Sequence, residues 1–167
     1  MRSVRRIFSV GAAAFMLGAG LLAGSSGVAQ AAASDCTGGA NGFTDIPDSL
    51  SGQGVAGAGA LVISSPHAVA SWAMQAGNVG GRQAGWGVLS TGGAGNWGPG
   101  AGALVWMNVT NDNHRSTIVC GPFEVKSAGT RITTPAYPTS SSSSRAFQVC
   151  AVLYGPGEST DTCSPWW

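Results

Sequence analysis

The 167-residue chain offers few groups capable of acid–base or nucleophilic chemistry. Its two histidines both fall at turns: His67 follows Ser65-Pro66, and His114 follows Asn111-Asp112-Asn113. A Ser–His–Asp device is defined by geometry rather than chain order, and serines are abundant. However, no Gly-x-Ser-x-Gly elbow is present to strain and expose a nucleophile, so both histidines read as solvated turn residues. Glycoside cleavage needs two carboxylates across a cleft. Asp45 and Asp48 read instead as turn residues bonding nearby N–H groups, and Glu124 and Glu158 stand alone. Asn111-Asp112-Asn113 is too short to supply the six to eight oxygens of a calcium site and reads as an Asx turn. The glycine clusters lack the lysine and the strand-to-helix context of a phosphate loop. No catalytic residue, metal site or cofactor is expected.

The four cysteines, Cys36, Cys120, Cys150 and Cys163, carry no CxxC or HxxxH spacing, which argues against zinc. An even number in an exported chain reads as two disulfides. Phe147 to Tyr154 has strand composition and Gly155-Pro156-Gly157-Glu158 reads as a turn. Folding back there sets Tyr154 against Ser159, Val152 against Asp161 and Cys150 against Cys163. Directly opposed residues come within bridging distance. The expected pairs are therefore Cys150–Cys163 and, by elimination, Cys36–Cys120.

Binding is the better-supported theme, and it rests on six tryptophans. Trp72 and Trp106 lie in apolar runs and are expected in the core. Trp97 sits in Gly95-Asn96-Trp97-Gly98-Pro99-Gly100, and Trp86 is flanked by Gly85 and Gly87, so both rings are candidates for exposure. Trp166 and Trp167 follow the last cysteine. An exposed indole offers a flat apolar face that fits a sugar ring or anchors a protein interface. Trp86, Trp97, Trp166 and Trp167 are the candidate ligand-binding residues. The competing reading folds the glycine-flanked tryptophans down as lids and uses the terminal pair to close the core.

The elements that must position these residues begin after a leader. Arg2, Arg5 and Arg6 precede an apolar stretch from Ile7 to Val28, and Ala29 to Ala33 supplies small residues for cleavage after Ala31 or Ala33. Residues 1–33 read as a cleavable signal peptide and 34–167 as one secreted domain. Glycines dilute the stretch below what a membrane anchor needs, so no span is expected in the mature form. Arg5-Arg6-Ile7-Phe8 matches the twin-arginine export pattern in part; the cysteines favour the general secretory route, because disulfides form after export. Cys36 lacks the context of a lipoprotein signal. The Ala- and Gly-heavy leader resembles, in composition, those of high-GC Gram-positive bacteria.

Beyond the leader, five positive residues face seven negative ones, a net charge of about −2. No basic patch remains, which excludes the electrostatic component of nucleic-acid binding. Strand-forming runs recur between turn residues: 58–63, 68–74, 85–90, 102–110, 116–120, 122–125, 131–134 and 147–154. Ala68, Ala70, Trp72 and Met74 alternate onto one side. Leu104-Val105-Trp106-Met107 is apolar on both faces and marks a central strand. No helical period competes. The expected fold is an all-β, antiparallel β-sandwich of about seven or eight short strands, with a small β-barrel as the alternative. The expected function is non-enzymatic surface binding, or a role as a cell-surface interaction or structural protein, with an extracellular protein or a polysaccharide as partner. A carbohydrate-binding module is one alternative. A secreted enzyme inhibitor presenting the 155–158 loop is another.

Overall fold

The structure, a computed structural model, describes residues 32–167. Residues 1–31, most of the signal peptide expected over 1–33, lie outside the described residues. Nine strands run in chain order among them: β1 (Gln53–Ser64), β2 (His67–Val79), β3 (Arg82–Thr91), β4 (Gly102–Thr110), β5 (Ile118–Val125), β6 (Arg131–Thr133), β7 (Tyr137–Pro138), β8 (Ala146–Gly155) and β9 (Glu158–Cys163). They form two antiparallel sheets, one ordered β1-β2-β3-β6 with β7 also paired to β3, the other ordered β5-β4-β8-β9. The sheets pack as a sandwich and do not close into a barrel, so the barrel alternative is set aside. The runs at 116–120 and 122–125 are one strand, β5, which continues through Gly121-Pro122. β1 begins at Gln53 rather than Ala58, because Gly54 and Ala56 enter the ladder with β2 through two register shifts.

Period-2 alternation builds the core. Ala68, Ala70, Trp72 and Met74 of β2 are buried, as are Ala103, Val105, Met107 and Val109 of β4 and Val149, Ala151 and Leu153 of β8. Side chains on one face of each strand thus meet those of the facing sheet. β4 is central in its sheet, but its other face is only half covered: Trp106 is half-buried rather than part of the core. Adjacent residues of a strand point to opposite faces, so burying Val105 and Met107 sends Trp106 to the outer side.

Both disulfides form as expected, Cys36–Cys120 and Cys150–Cys163. The β8–β9 register sets Cys150 opposite Cys163, Val152 opposite Asp161 and Tyr154 opposite Ser159. Cys36–Cys120 ties the start of the described chain to β5.

The outer face of the first sheet carries a smaller apolar cluster of Ala84, Trp86, Val88 and Ala136. The segment 43–52 crosses it as a strap and adds Ile46 and Leu50. Thr44 bridges Ala136, and the Asp48 carboxylate accepts from the Thr133 N–H at 2.7 Å. Asp45 accepts from the Gly38 N–H at 2.9 Å. Asp48 therefore fastens the strap to β6, far away in sequence, while Asp45 binds backbone seven residues before it.

Candidate ligand-binding groove

The four candidate tryptophans separate by environment. Trp86 is fully buried, so the expectation of an accessible ring is corrected. Its flanking glycines face the main core, while the indole lies under the strap against Gly52 and Gly77. A Cβ at Gly52 would stand 2.7 Å from the ring, so that position needs glycine for the indole to fit, and one at Gly77 would stand 3.1 Å from it, a tight contact that the ring meets only by giving a few tenths of an ångström. Trp97 is half-buried against the core; it bridges Ala68, and its indole N–H donates to the Lys126 carbonyl at 3.4 Å. Trp166 and Trp167 are exposed, at 37% and 43%.

The terminal pair is held in place by the chain that precedes it. Beyond β9, the Ser164 N–H donates to the Val149 carbonyl, and its hydroxyl accepts from the Val149 N–H. Trp167 then exchanges both backbone hydrogen bonds with Phe147, at 2.8 and 2.9 Å. The tail thus continues the β9 edge along β8. Its two rings rest on different neighbours. Trp166 meets His114 edge-on at 4.6 Å, and Trp167 lies 5.8 Å from Phe147. Phe147 continues an aromatic row through Tyr137 to Phe43. Trp167 is the exposed end of that row, so one face packs and the other meets solvent.

Beside Trp167 opens a groove of about 820 Å³. Its walls come from five other segments: Ser51 at the end of the strap, Gln53 at the start of β1, Ala76 and Gly77 of β2, Gln83 of β3, and Thr139 and Ser140 after β7. None of the lining side chains is charged. Thr139 is fixed by its N–H and its hydroxyl, both donating to the Gln83 carbonyl. The amides of Gln53 and Gln83 and the Ser51 hydroxyl make no hydrogen bond to other described residues, so they are free to meet a ligand. A smaller hollow of about 120 Å³ shares Thr139, Ser140 and Trp167 and brings in Arg145. That guanidinium is set in place by Asn111 Oδ1 (2.6 Å), the Pro138 carbonyl (3.0 Å) and the face of Tyr137.

The histidines lie apart from this groove. The His67 Nε2 sits 3.3 Å from the Asn96 amide oxygen, and His114 packs on Trp166. Asn111-Asp112-Asn113 forms a tight turn in which Asn113 and His114 both take left-handed backbone angles. Asp112 closes it by accepting from the Ser116 hydroxyl (2.5 Å) and N–H (2.9 Å). These bonds, the hydroxyl first, hold the Asp112 carboxyl down at about 2. The Pro156-Gly157 turn between β8 and β9 is anchored rather than free: Glu158 accepts from the N–H groups of Ser64 and Ser65, both at 3.0 Å. Among the described residues no helix is long and apolar enough to cross a membrane.

Sequence reasoning named Trp167 and missed the rest of the groove. Ser51, Gln53, Gln83, Thr139 and Ser140 come from separated segments that converge only through the register of β1, β2 and β3, and no spacing in the chain marks them together. Comparison of the chain with protein-family models, curated proteins and solved structures finds no match.

Proposed function

We propose that the mature chain is an exported, non-enzymatic binding domain that seats a neutral polysaccharide strand in the groove beside Trp167. The observation that carries this reading is the half-exposed Trp167 indole on the wall of a groove lined by uncharged side chains, with the free amides of Gln53 and Gln83 and the free hydroxyl of Ser51. A pyranose ring has an apolar C–H face and a rim of hydroxyls. The indole suits the face, and Gln53, Gln83 and Ser51 suit the rim. An open groove, rather than an enclosed pocket, suits a chain passing through. The two disulfides are in keeping with an oxidising, extracellular location, and the leader supplies the route.

Electrophoresis of the oxidised protein through gels containing soluble neutral glucans, xylan or galactomannan tests the reading. Retardation by one of them, lost in Trp167→Ala and retained in Trp97→Ala, is the expected result. Equal mobility in every gel overturns it.

A protein partner is the second reading, favoured by the adjacent exposure of Trp166 and Trp167, since tryptophans are enriched among residues that dominate interface energies. It expects Trp166→Ala and Trp167→Ala to weaken the same contact.

A further inference from the structure

We propose that the outer edge of β1 pairs with β1 of a second copy of this chain, antiparallel and two-fold symmetric about Ala60. This goes beyond the groove and does not depend on it.

A sheet edge presents unpaired N–H and C=O groups, and natural edges are blunted with charge, proline or bulges. Three of the four edges here carry such devices: Arg131 and Pro138 on β6 and β7, Pro122 and Glu124 on β5, Glu158 and Asp161 on β9. The twelve residues of β1 contain neither charge nor proline. Its register shifts fall between Gly54 and Ala58; from Ala58 to Ser64 the pairing with β2 is regular. That stretch reads Ala-Gly-Ala-Leu-Val-Ile-Ser, a short uncharged run of the kind that templates strand pairing. Only its far end is closed, where Glu158 takes the Ser64 N–H.

The same hydrogen bond fixes which groups face outward. The Ser64 N–H points away from β2, and alternate residues of a strand share that direction. Ala58, Ala60 and Val62 therefore direct their backbone N–H and C=O groups outward, and no hydrogen bond from another described residue meets them. Their side chains lie on the solvent face, since Leu61 and Ile63 fill the core. A two-fold axis perpendicular to the sheet must pair residues of the same face. Ala60 then stands opposite Ala60 of the second copy, and Val62 opposite Ala58. Each pair exchanges both backbone bonds. Val62, 52% exposed, gains a small neighbour across the ladder and meets no like charge.

So short a pairing belongs at the small end of specific interfaces, which makes the dimer transient and sets the test at high protein concentration, about 0.1–1 mM. Sedimentation velocity of the oxidised mature protein across that range is the test. Concentration-dependent dimer is the expected result, with the association constant at least tenfold lower in Ala60→Lys, which sets two ammonium groups opposite each other at the axis. Ala60→Glu lowers it likewise, and an equimolar mixture of the two variants restores a dimer, because opposite charges now face each other. Residue 60 is exposed, so both variants leave the core untouched. A monomer throughout the range overturns the proposal. So does a dimer that neither variant weakens.

Discussion

Trp167 and Phe147 are joined twice, by a pair of backbone hydrogen bonds at 2.8 and 2.9 Å and by rings 5.8 Å apart. The first contact extends the second sheet past its last disulfide. The second packs one face of an indole on the core while its other face borders the groove. A terminal residue is ordinarily the least ordered part of a chain. Here the β9 ladder, the Cys150–Cys163 bridge and the aromatic row hold it at a fixed place on the surface.

Under the proposed function that bridge affects stability and ligand binding together, whereas Cys36–Cys120 acts on stability. In the chain-entropy model, the 13-residue separation of Cys150–Cys163 is worth about 3 kcal/mol and the 84-residue separation of Cys36–Cys120 about 4.5 kcal/mol. Paired Cys→Ala replacements followed by urea unfolding should show the larger loss for the longer loop. Loss of ligand binding out of proportion to stability should appear only when Cys150–Cys163 is removed.

The buried Trp86 ring crowds two glycines from separate segments, Gly52 more closely than Gly77. Gly77→Ala brings a methyl within 3.1 Å of the ring, and Gly52→Ala also drives one to 2.5 Å from the Ala76 carbonyl. Overpacking of this kind costs about 1–3 kcal/mol, and Gly52→Ala should be the worse. A cycle of Gly77→Ala with Trp86→Phe should be non-additive, because the smaller ring vacates the space the methyl needs. Additive losses in thermal unfolding would remove the strap-and-indole account.

Asp112 gives the 110–116 turn an acid-sensitive element. Its folded-state pKa, about 2, lies below the roughly 3.9 of an unfolded aspartate. The stabilisation is complete above the unfolded value and disappears as pH falls from about 4 through about 2. Wild type should therefore be more stable than Asp112→Asn at pH 5, and the gap should narrow towards pH 2. A gap that does not change with pH would contradict the Ser116 bonds as its source.

Tyr154 is the alkaline counterpart. Burial, followed by its hydrogen bond to the Glu124 carboxylate, pushes the phenol up to about 12. Phenolate formation in the unfolded chain near pH 10 precedes that in the folded one, so stability is full below about pH 10 and declines as pH rises towards 12. An ultraviolet pH titration should show Tyr154 ionising late, with Glu124→Gln bringing it back towards the ordinary value. A late tyrosine unmoved by that replacement would assign the shift to burial alone.

Local signals in the chain fixed what depends on neighbours in sequence. The 147–163 hairpin, its register and its disulfide follow from one turn and one strand pattern. The buried face of β2 follows from the alternation of Ala68, Ala70, Trp72 and Met74. Trp86 shows the limit of such signals: flanking glycines suggested exposure, but its cover comes from the strap at 43–52, more than thirty residues earlier. Trp97 likewise is held by Lys126, twenty-nine residues away. Apolar composition on both faces of the Leu104-Val105-Trp106-Met107 run did not reveal that, of these four, only Val105 and Met107 would be fully covered. The groove was legible only at Trp167, since its amides and hydroxyls are gathered by tertiary register.

The central claim is that Trp167 presents a binding face while Trp72 and Trp86 are structural. Acrylamide quenching of tryptophan emission in the oxidised mature protein, with and without a series of soluble neutral polysaccharides, tests it most directly. The account predicts a readily quenched fraction that one polysaccharide protects and that Trp167→Ala abolishes together with the protection. Quenching unaffected by every polysaccharide, with Trp167→Ala behaving as wild type, would contradict it.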